Sequence, residues 1–314
     1  MPGGIDLHPL IIGVLGLPSW LDFQPFIYTG LALGGVYALS GVGMVVLYRA
    51  TGVLFLAFGA VGAMGALIAW QLINAAGLNQ WLAYLICILF GGVVTLGYGI
   101  VFGRALAARE PLVKAVATLG LALILLGLMD LLWTSSGGES RSITLPTDNS
   151  GFIISQIQVT WTQVIGLACG VVMTIVTGAF LRFTKLGTAM RALANDREIT
   201  ATLGVPVRRV EAAAWFGCGI LAGFAGVLLA DLVALDATTL TFLVISSLAA
   251  ALIGRLRSIV VTFVAAIVIG LVDAMITPIQ SITNYRDMTP FVLAAVALLV
   301  VNRQRANSLS REGI

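Results

Sequence analysis

The sequence predicts an all-α polytopic membrane protein of eight to nine transmembrane helices arranged as an inverted repeat, on three observations. The first is composition: 59% of the 314 residues are hydrophobic and 10% charged, with 36 glycines and a mean hydropathy of +1.05, against about 25% charged in soluble globular chains. The second is a recurrence of apolar windows of the length a bilayer demands, about 20 residues at ~1.5 Å rise each. They fall at 26–48, 52–74, 81–103, 114–133, 161–181, 210–230, 237–254, 259–276 and 285–302. The third is the alternation of basic residues between connections, as the positive-inside bias requires. With the C-terminus cytoplasmic, the inner connections hold Arg49; Arg104, Arg109 and Lys114; Arg182, Lys185, Arg191, Arg197, Arg208 and Arg209; Arg255 and Arg257; and Arg303, Arg305 and Arg311. That is fifteen of seventeen Lys and Arg, leaving Arg141 and Arg286 outside.

Along the chain, residues 1–25 read as an extracytoplasmic or interfacial segment, with 7–20 lying at the interface or forming a short extra helix. The first twenty residues contain no Lys or Arg and no small-residue cleavage site, so no removable signal peptide is expected and the first span directs insertion. Residues 26–302 form the transmembrane domain and 303–314 a cytoplasmic tail. The seventh and ninth windows are short enough to be tilted, re-entrant or half-helices, which leaves the count between eight and nine. The half made of spans one to four begins outside, the half made of spans six to nine begins inside, and span five connects them, which is the arithmetic of an inverted repeat. Gly30 with Gly34, and Gly219 with Gly223, open the two halves with Gly-x-x-x-Gly, and Gly59, Gly62 and Gly65 make a stripe on span two. Such stripes let helix backbones approach, although ordinary membrane packing produces the same spacing.

Other chemistry is sparse. Cys87, Cys169 and Cys218 fall inside predicted helices and read as small packing residues, and His8 stands alone, so no metal cluster assembles. Among ionisable residues within spans, Asp130 and Asp273 stand out as candidates, both near predicted outer ends, where a gate or docking role competes with interfacial exposure. The outer loop 135–160, with Gly137, Gly138, Glu139, Arg141 and Asp148, suits a transient, salt-sensitive contact. No Gly-x-x-x-x-Gly-Lys-Ser/Thr phosphate loop occurs.

The charged loop 182–210 carries its own helix signals. Asp196 is an N-cap, Glu198 favours the first turn, Ile199, Thr202 and Leu203 share a face at i, i+3, i+4, and Gly204 followed by Pro206 stops the helix. A second short helix is expected from Thr188 to Ala194. A solvated connector whose charges merely obey topology would carry the same residues.

The run Gly187-Thr-Ala-Met-Arg-Ala-Leu-Ala-Asn-Asp-Arg-Glu-Ile-Thr-Ala-Thr-Leu-Gly-Val, followed by Leu221-Ala-Gly-Phe-Ala-Gly-Val-Leu-Leu229, resembles the permease subunits of bacterial branched-chain amino acid ABC importers. The resemblance continues in Gly30-Leu-Ala-Leu-Gly-Gly-Val-Tyr-Ala-Leu39, in Ala117-Thr-Leu-Gly-Leu-Ala-Leu-Ile-Leu125 and in Leu145-Pro146, and covers residues 26–302. It implies a cytoplasmic coupling helix at Asp196–Gly204 that docks in a groove of a separate ATPase, with Arg191, Arg197, Arg208 and Arg209 available for rim ion pairs. It also implies that ATP and Mg belong to that partner rather than to this chain, which is a pore subunit and not an enzyme. The partners implied are a second permease (a related chain or this one again), two ATP-binding subunits, an extracytoplasmic substrate-binding protein and membrane lipid, with no nucleic acid. The location implied is the bacterial inner membrane, with the N-terminus outside.

Two departures bear on the solute. Where the family commonly has Asn-Phe-Ala-His-Gly after the first span, this chain has Phe55-Leu-Ala-Phe58-Gly59, and in place of Gly-Gly-x-Gly-Ser before the eighth it has Gly254-Arg-Leu-Arg257-Ser258. Phe55 and Phe58 either make the pathway more apolar or pack in the core. The candidate translocation path comprises Phe55, Phe58, Thr118, Gly120, Asp130 and Asp273, for branched-chain amino acids or a related small solute. An ion-coupled secondary transporter or channel is the alternative, but it usually needs carboxylates or His near the midplane, and this chain shows none there.

Overall fold

A computed structural model of the chain describes residues 20–107, 109–133, 151–154, 157–233, 235–278, 288–296 and 299. Its helices are α1 (Trp20–Thr51), α2 (Phe58–Asn74), α3 (Gln80–Ala107), α4 (Pro111–Trp133), α5 (Trp161–Phe183), α6 (Lys185–Asn195), α7 (Arg197–Thr202), α8 (Val207–Leu232), α9 (Ala237–Phe242), α10 (Val244–Ile253) and α11 (Ile259–Ile276). A further helical turn covers 289–296. Six segments are long and apolar enough to cross a membrane: 23–51, 80–103, 111–133, 161–183, 207–232 and 259–276.

Several expected boundaries shift. The first span starts at Trp20, inside the segment assigned to the interface, and takes in Pro25 as its sixth residue, where the missing N–H leaves the Leu21 carbonyl without its usual i+4 amide. The second window is helical only from Phe58; Gly52, at φ +67°, ends α1 and residues 53–57 run without helix. The seventh window is broken at Leu243 into α9 and α10. The loop 135–160 is not wholly irregular, since Gly151–Ile154 (β1) pairs antiparallel with Ile157–Thr160 (β2), Gly151 opposite Thr160. The segment 1–19, most of the loop 135–160, part of the ninth window and the tail 303–314 lie outside the described residues.

The core is α1, the most enclosed of the spans, with α11, α5, α8, α10 and α6 against it. Helices in a bilayer have no water to escape by associating, so close backbone approach and van der Waals packing carry the assembly. Glycines sit where axes cross: Gly30 and Gly34 of α1 meet Gly270 of α11, Gly219 and Gly223 of α8 meet Gly91 and Cys87 of α3, and Gly62 of α2 meets Gly226 of α8. A Cβ on Gly223 would stand 2.7 Å from the Cys87 carbonyl, closer than real contacts allow. The stripe on α2 thus serves three neighbours, Gly59 facing α9, Gly62 facing α8 and Gly65 facing Cys87 of α3. By contrast α3, α4, α5 and α11 turn rows of large apolar residues outward, among them Leu89 and Val93, Leu123 and Ile124, Ile175, and Val264. In water such area would be a liability; in hydrocarbon it is the expected exterior.

Candidate functional site

At one end of the bundle the chain leaves the membrane-length helices and folds the basic loop into α6 and α7. Thr184 caps α6, its Oγ1 accepting from the Gly187 amide at 3.0 Å. This start, three residues before the expected one, is set by a threonine whose capping role reads in the sequence only once α5 is known to end there. Gly187 lets α6 lie against Phe180 and Leu181, and Met190 and Leu193 bury the inner face. Asp196 then caps α7, Oδ1 accepting from the Ile199 amide at 2.9 Å. Thr200 is buried beneath, its hydroxyl donating to the Asp196 carbonyl at 2.5 Å, and Thr202 donates to the Ile199 carbonyl at 2.8 Å. Gly204 stands at φ +78°, a left-handed conformation that closes the helix end.

One turn of helix therefore projects two large apolar side chains into the open: Ile199 is 60% exposed and Leu203 77%. Glu198 is exposed beside them. Arg197 turns back to Glu211 of α8 at 2.8 Å, tying α7 to a membrane-length helix. Arg191 points inward along α6, its Nη2 donating to the Arg182 carbonyl at 3.4 Å.

The candidate path residues do not form one group. Phe55 is fully buried, edge-on to Trp215 with ring centroids 5.4 Å apart, so it holds the non-helical 53–57 segment against α8 rather than facing an opening. Phe58 is buried too and borders a water-sized void of about 10 Å³ with Ser40, Gly62, Gly226 and Ser247. Thr118 is a staple: its hydroxyl lies 2.8 Å from the Leu54 carbonyl and 3.2 Å from the Leu56 amide, satisfying backbone groups that the break in helix leaves bare. Gly120 has open space where a side chain would go. Asp130 is exposed.

Asp273 differs from the rest. It is 4% exposed on α11, accepts from the Tyr37 hydroxyl of α1 at 3.3 Å, and lines a cavity of about 430 Å³. Thr238, Thr239 and Ser246 bring hydroxyl-bearing residues to the same wall, and Phe242 and Phe291 bring apolar ones. The break between α9 and α10 shapes this wall, with Asp236 capping α9 through the Thr239 amide at 2.7 Å. A carboxylate beside hydroxyls and aromatic rings can hold a cationic or amide group next to an apolar one. Tyr37 was not picked out from the sequence. It lies inside the Gly30–Leu39 motif, yet nothing local pairs it with a residue 236 positions away.

With this geometry in view, comparison with known proteins decides the family. The model of the branched-chain amino acid transport system permease component matches residues 26–301. The chain belongs to that family. Its relatives include the high-affinity branched-chain amino acid transport system permease protein LivH of Salmonella typhimurium, 25% identical over 299 residues covering 90% of this chain and 95% of the relative. LivH of Escherichia coli strain K12 is 26% identical over 301 residues with the same coverage. The probable branched-chain amino acid transport permease LivH of Methanocaldococcus jannaschii is 26% identical over 252 residues, 76% of each chain. No solved structure matches. The chain is thus a transport permease component.

Proposed function

We propose that this chain is the membrane-spanning subunit of an ABC importer of the bacterial inner membrane, carrying branched-chain amino acids or a closely related small solute. ATP hydrolysis would take place on two separate ATP-binding subunits. The observation that carries the reading is α7: a capped turn offering Ile199 and Leu203 to an apolar groove while Arg197–Glu211 and the short 203–206 link tie it to α8. A rigid knob of this kind transmits a push from a partner into the helices behind it. An ion-coupled carrier or channel needs no such projection, and family membership weighs against it.

The topology that goes with this reading places the basic end in the cytoplasm and the N-terminus outside, with eight to nine spans counted when α2 and the α9–α10 pair cross as short or broken elements. Matched packing supports an inverted repeat: α1 crosses α11 as α8 crosses α3, α10 lies on α1 as α2 lies on α8, and α10 adjoins α11 as α2 adjoins α3. The further partners are a second permease chain, related or identical, and an extracytoplasmic binding protein. Asp273 and Tyr37 would meet the ammonium of the solute near the outer end, with Phe242 and Phe291 beside its side chain.

The deciding experiment measures ATPase activity and uptake by the complete complex in liposomes, with the binding protein loaded in turn with leucine, other amino acids, aromatic acids and urea. Stimulation by one solute class establishes the mechanism and the substrate. No stimulation, together with uptake driven by an ion gradient in liposomes holding this chain alone, would overturn the reading.

A further inference from the structure

At the basic end, separate from both α7's outward face and the Asp273 cavity, an open cavity of about 650 Å³ lies between the end of α1, the start of α4, the α6–α7 junction and the turn before α11. Its walls hold four cations from four segments: Arg49, Lys114, Arg197 and Arg257. Arg197 is neutralised by Glu211. Arg49, Lys114 and Arg257 have no carboxylate within ion-pair distance among the described residues. Glu211 also lies near enough to offset part of the Lys114 charge, and the positive charge left around this open hollow is self-repelling, a field that an anion would relieve.

Two details mark the hollow as built rather than as leftover topology charge. Residues that merely keep a loop on one side of a membrane sit exposed and apart, whereas Lys114 is 9% exposed and makes no hydrogen bond from Nζ among the described residues. Its ammonium stands against Gly52, 3.7 Å from where a Cβ would be, in the gap left by the end of α1. The second detail is strain. Arg255 and Leu256 both adopt left-handed conformations, φ 56° and 54°, in a chain whose other positive φ values among the described residues belong to glycine. Each costs roughly 1–2 kcal/mol. The turn occupies the place where the resembling family carries a glycine-rich run. It brings the Arg257 carbonyl to Arg49 Nη1 at 3.4 Å and holds both guanidinium-bearing residues at the cavity wall.

We propose that this hollow binds a phosphate group, held by Arg49, Lys114 and Arg257. Guanidinium forks suit phosphate oxygens in bidentate pairs and the lysine supplies a point charge. The group has two possible sources, a free phosphate compound or the headgroup of an anionic phospholipid from the adjoining leaflet. The hollow joins α1 and α4 to the α6–α7 junction, so occupancy would stiffen the link between α7 and the core.

The test uses the full chain purified in a maltoside detergent, which carries no phosphate. Melting temperature is followed while inorganic phosphate is titrated against chloride at matched ionic strength. In a second arm, short-chain phosphatidylglycerol is titrated against diacylglycerol of equal chain length. A saturable rise of several degrees with inorganic phosphate identifies a free-phosphate site; a rise with phosphatidylglycerol alone identifies a lipid site. Either response should weaken about tenfold or more in Arg257→Gln and in Lys114→Met, the loss expected of one charge-assisted hydrogen bond, and persist in Arg208→Gln. Arg257 is exposed, so its substitution leaves the fold intact even if that of Lys114 does not. No response to phosphate or phosphatidylglycerol beyond their controls, or a response equal in Arg257→Gln and the unaltered chain, sinks the proposal.

Discussion

Single residues decide how closely the helices of this permease approach one another, and Gly219 is the sharpest case. A Cβ there would collide with the Gly91 carbonyl and the Thr95 hydroxyl, which is itself hydrogen-bonded to the Trp215 carbonyl at 3.0 Å. Gly219→Leu is therefore expected to lower stability by about 1–3 kcal/mol through overpacking, seen as a fall in melting temperature. Gly97 on the same α3 has open space around it, so Gly97→Ala should be neutral or stabilising by about 0.5–1 kcal/mol through helix propensity. Equal losses in the two variants would contradict the crossing described here. Asp273 belongs to the same scale. Asp273→Asn keeps the shape and removes the charge, and it should raise the KM for uptake at least tenfold for a solute bearing an ammonium group while leaving chain abundance unchanged. A variant with normal uptake kinetics would remove Asp273 from the path.

Elements are where local chemistry becomes mechanics. α7 has six residues, too few to persist alone, since isolated helices shorter than about 12–15 residues are marginal in water. Its cap, its buried Thr200 and its tie to α8 hold it. Asp196→Ala removes a cap of about 1 kcal/mol and should reduce uptake per ATP hydrolysed. Gly204→Pro forces φ near −65° where the chain needs +78° and should uncouple the two more completely, with membrane insertion intact in both. Normal coupling in both variants would deny α7 its role. The Arg197–Glu211 pair contributes about 1 kcal/mol or less to stability, because Arg197 is 43% exposed and water screens it; it orients α7 more than it holds the fold.

At the scale of the whole molecule, the proposed orientation puts the α2–α3 turn and α7 on opposite sides of the membrane. In a variant lacking Cys87, Cys169 and Cys218, a cysteine placed at Ala76 in the exposed α2–α3 turn should react with an impermeant thiol reagent added outside intact cells. One placed at Glu198 should react only after the membrane is opened. The reverse pattern would invert the topology and move the basic cavity to the outer face.

The sequence by itself determined the class of this protein, the placing of most spans, the segregation of its charges and the start and stop of α7. Each depends on information confined to a few neighbouring residues. Hydropathy is a property of a window, and Asp196 reaches an amide three residues on. Gly204 supplies a backbone angle at its own position. Tertiary structure alone decided that Phe55 packs on Trp215, that Thr118 staples the break after α1, that Tyr37 meets Asp273, and that Lys114 shares a hollow with Arg49 and Arg257. These pairings join segments tens to hundreds of residues apart. Their register is set by which glycines of one helix face which backbone of another, and a one-dimensional pattern does not encode that.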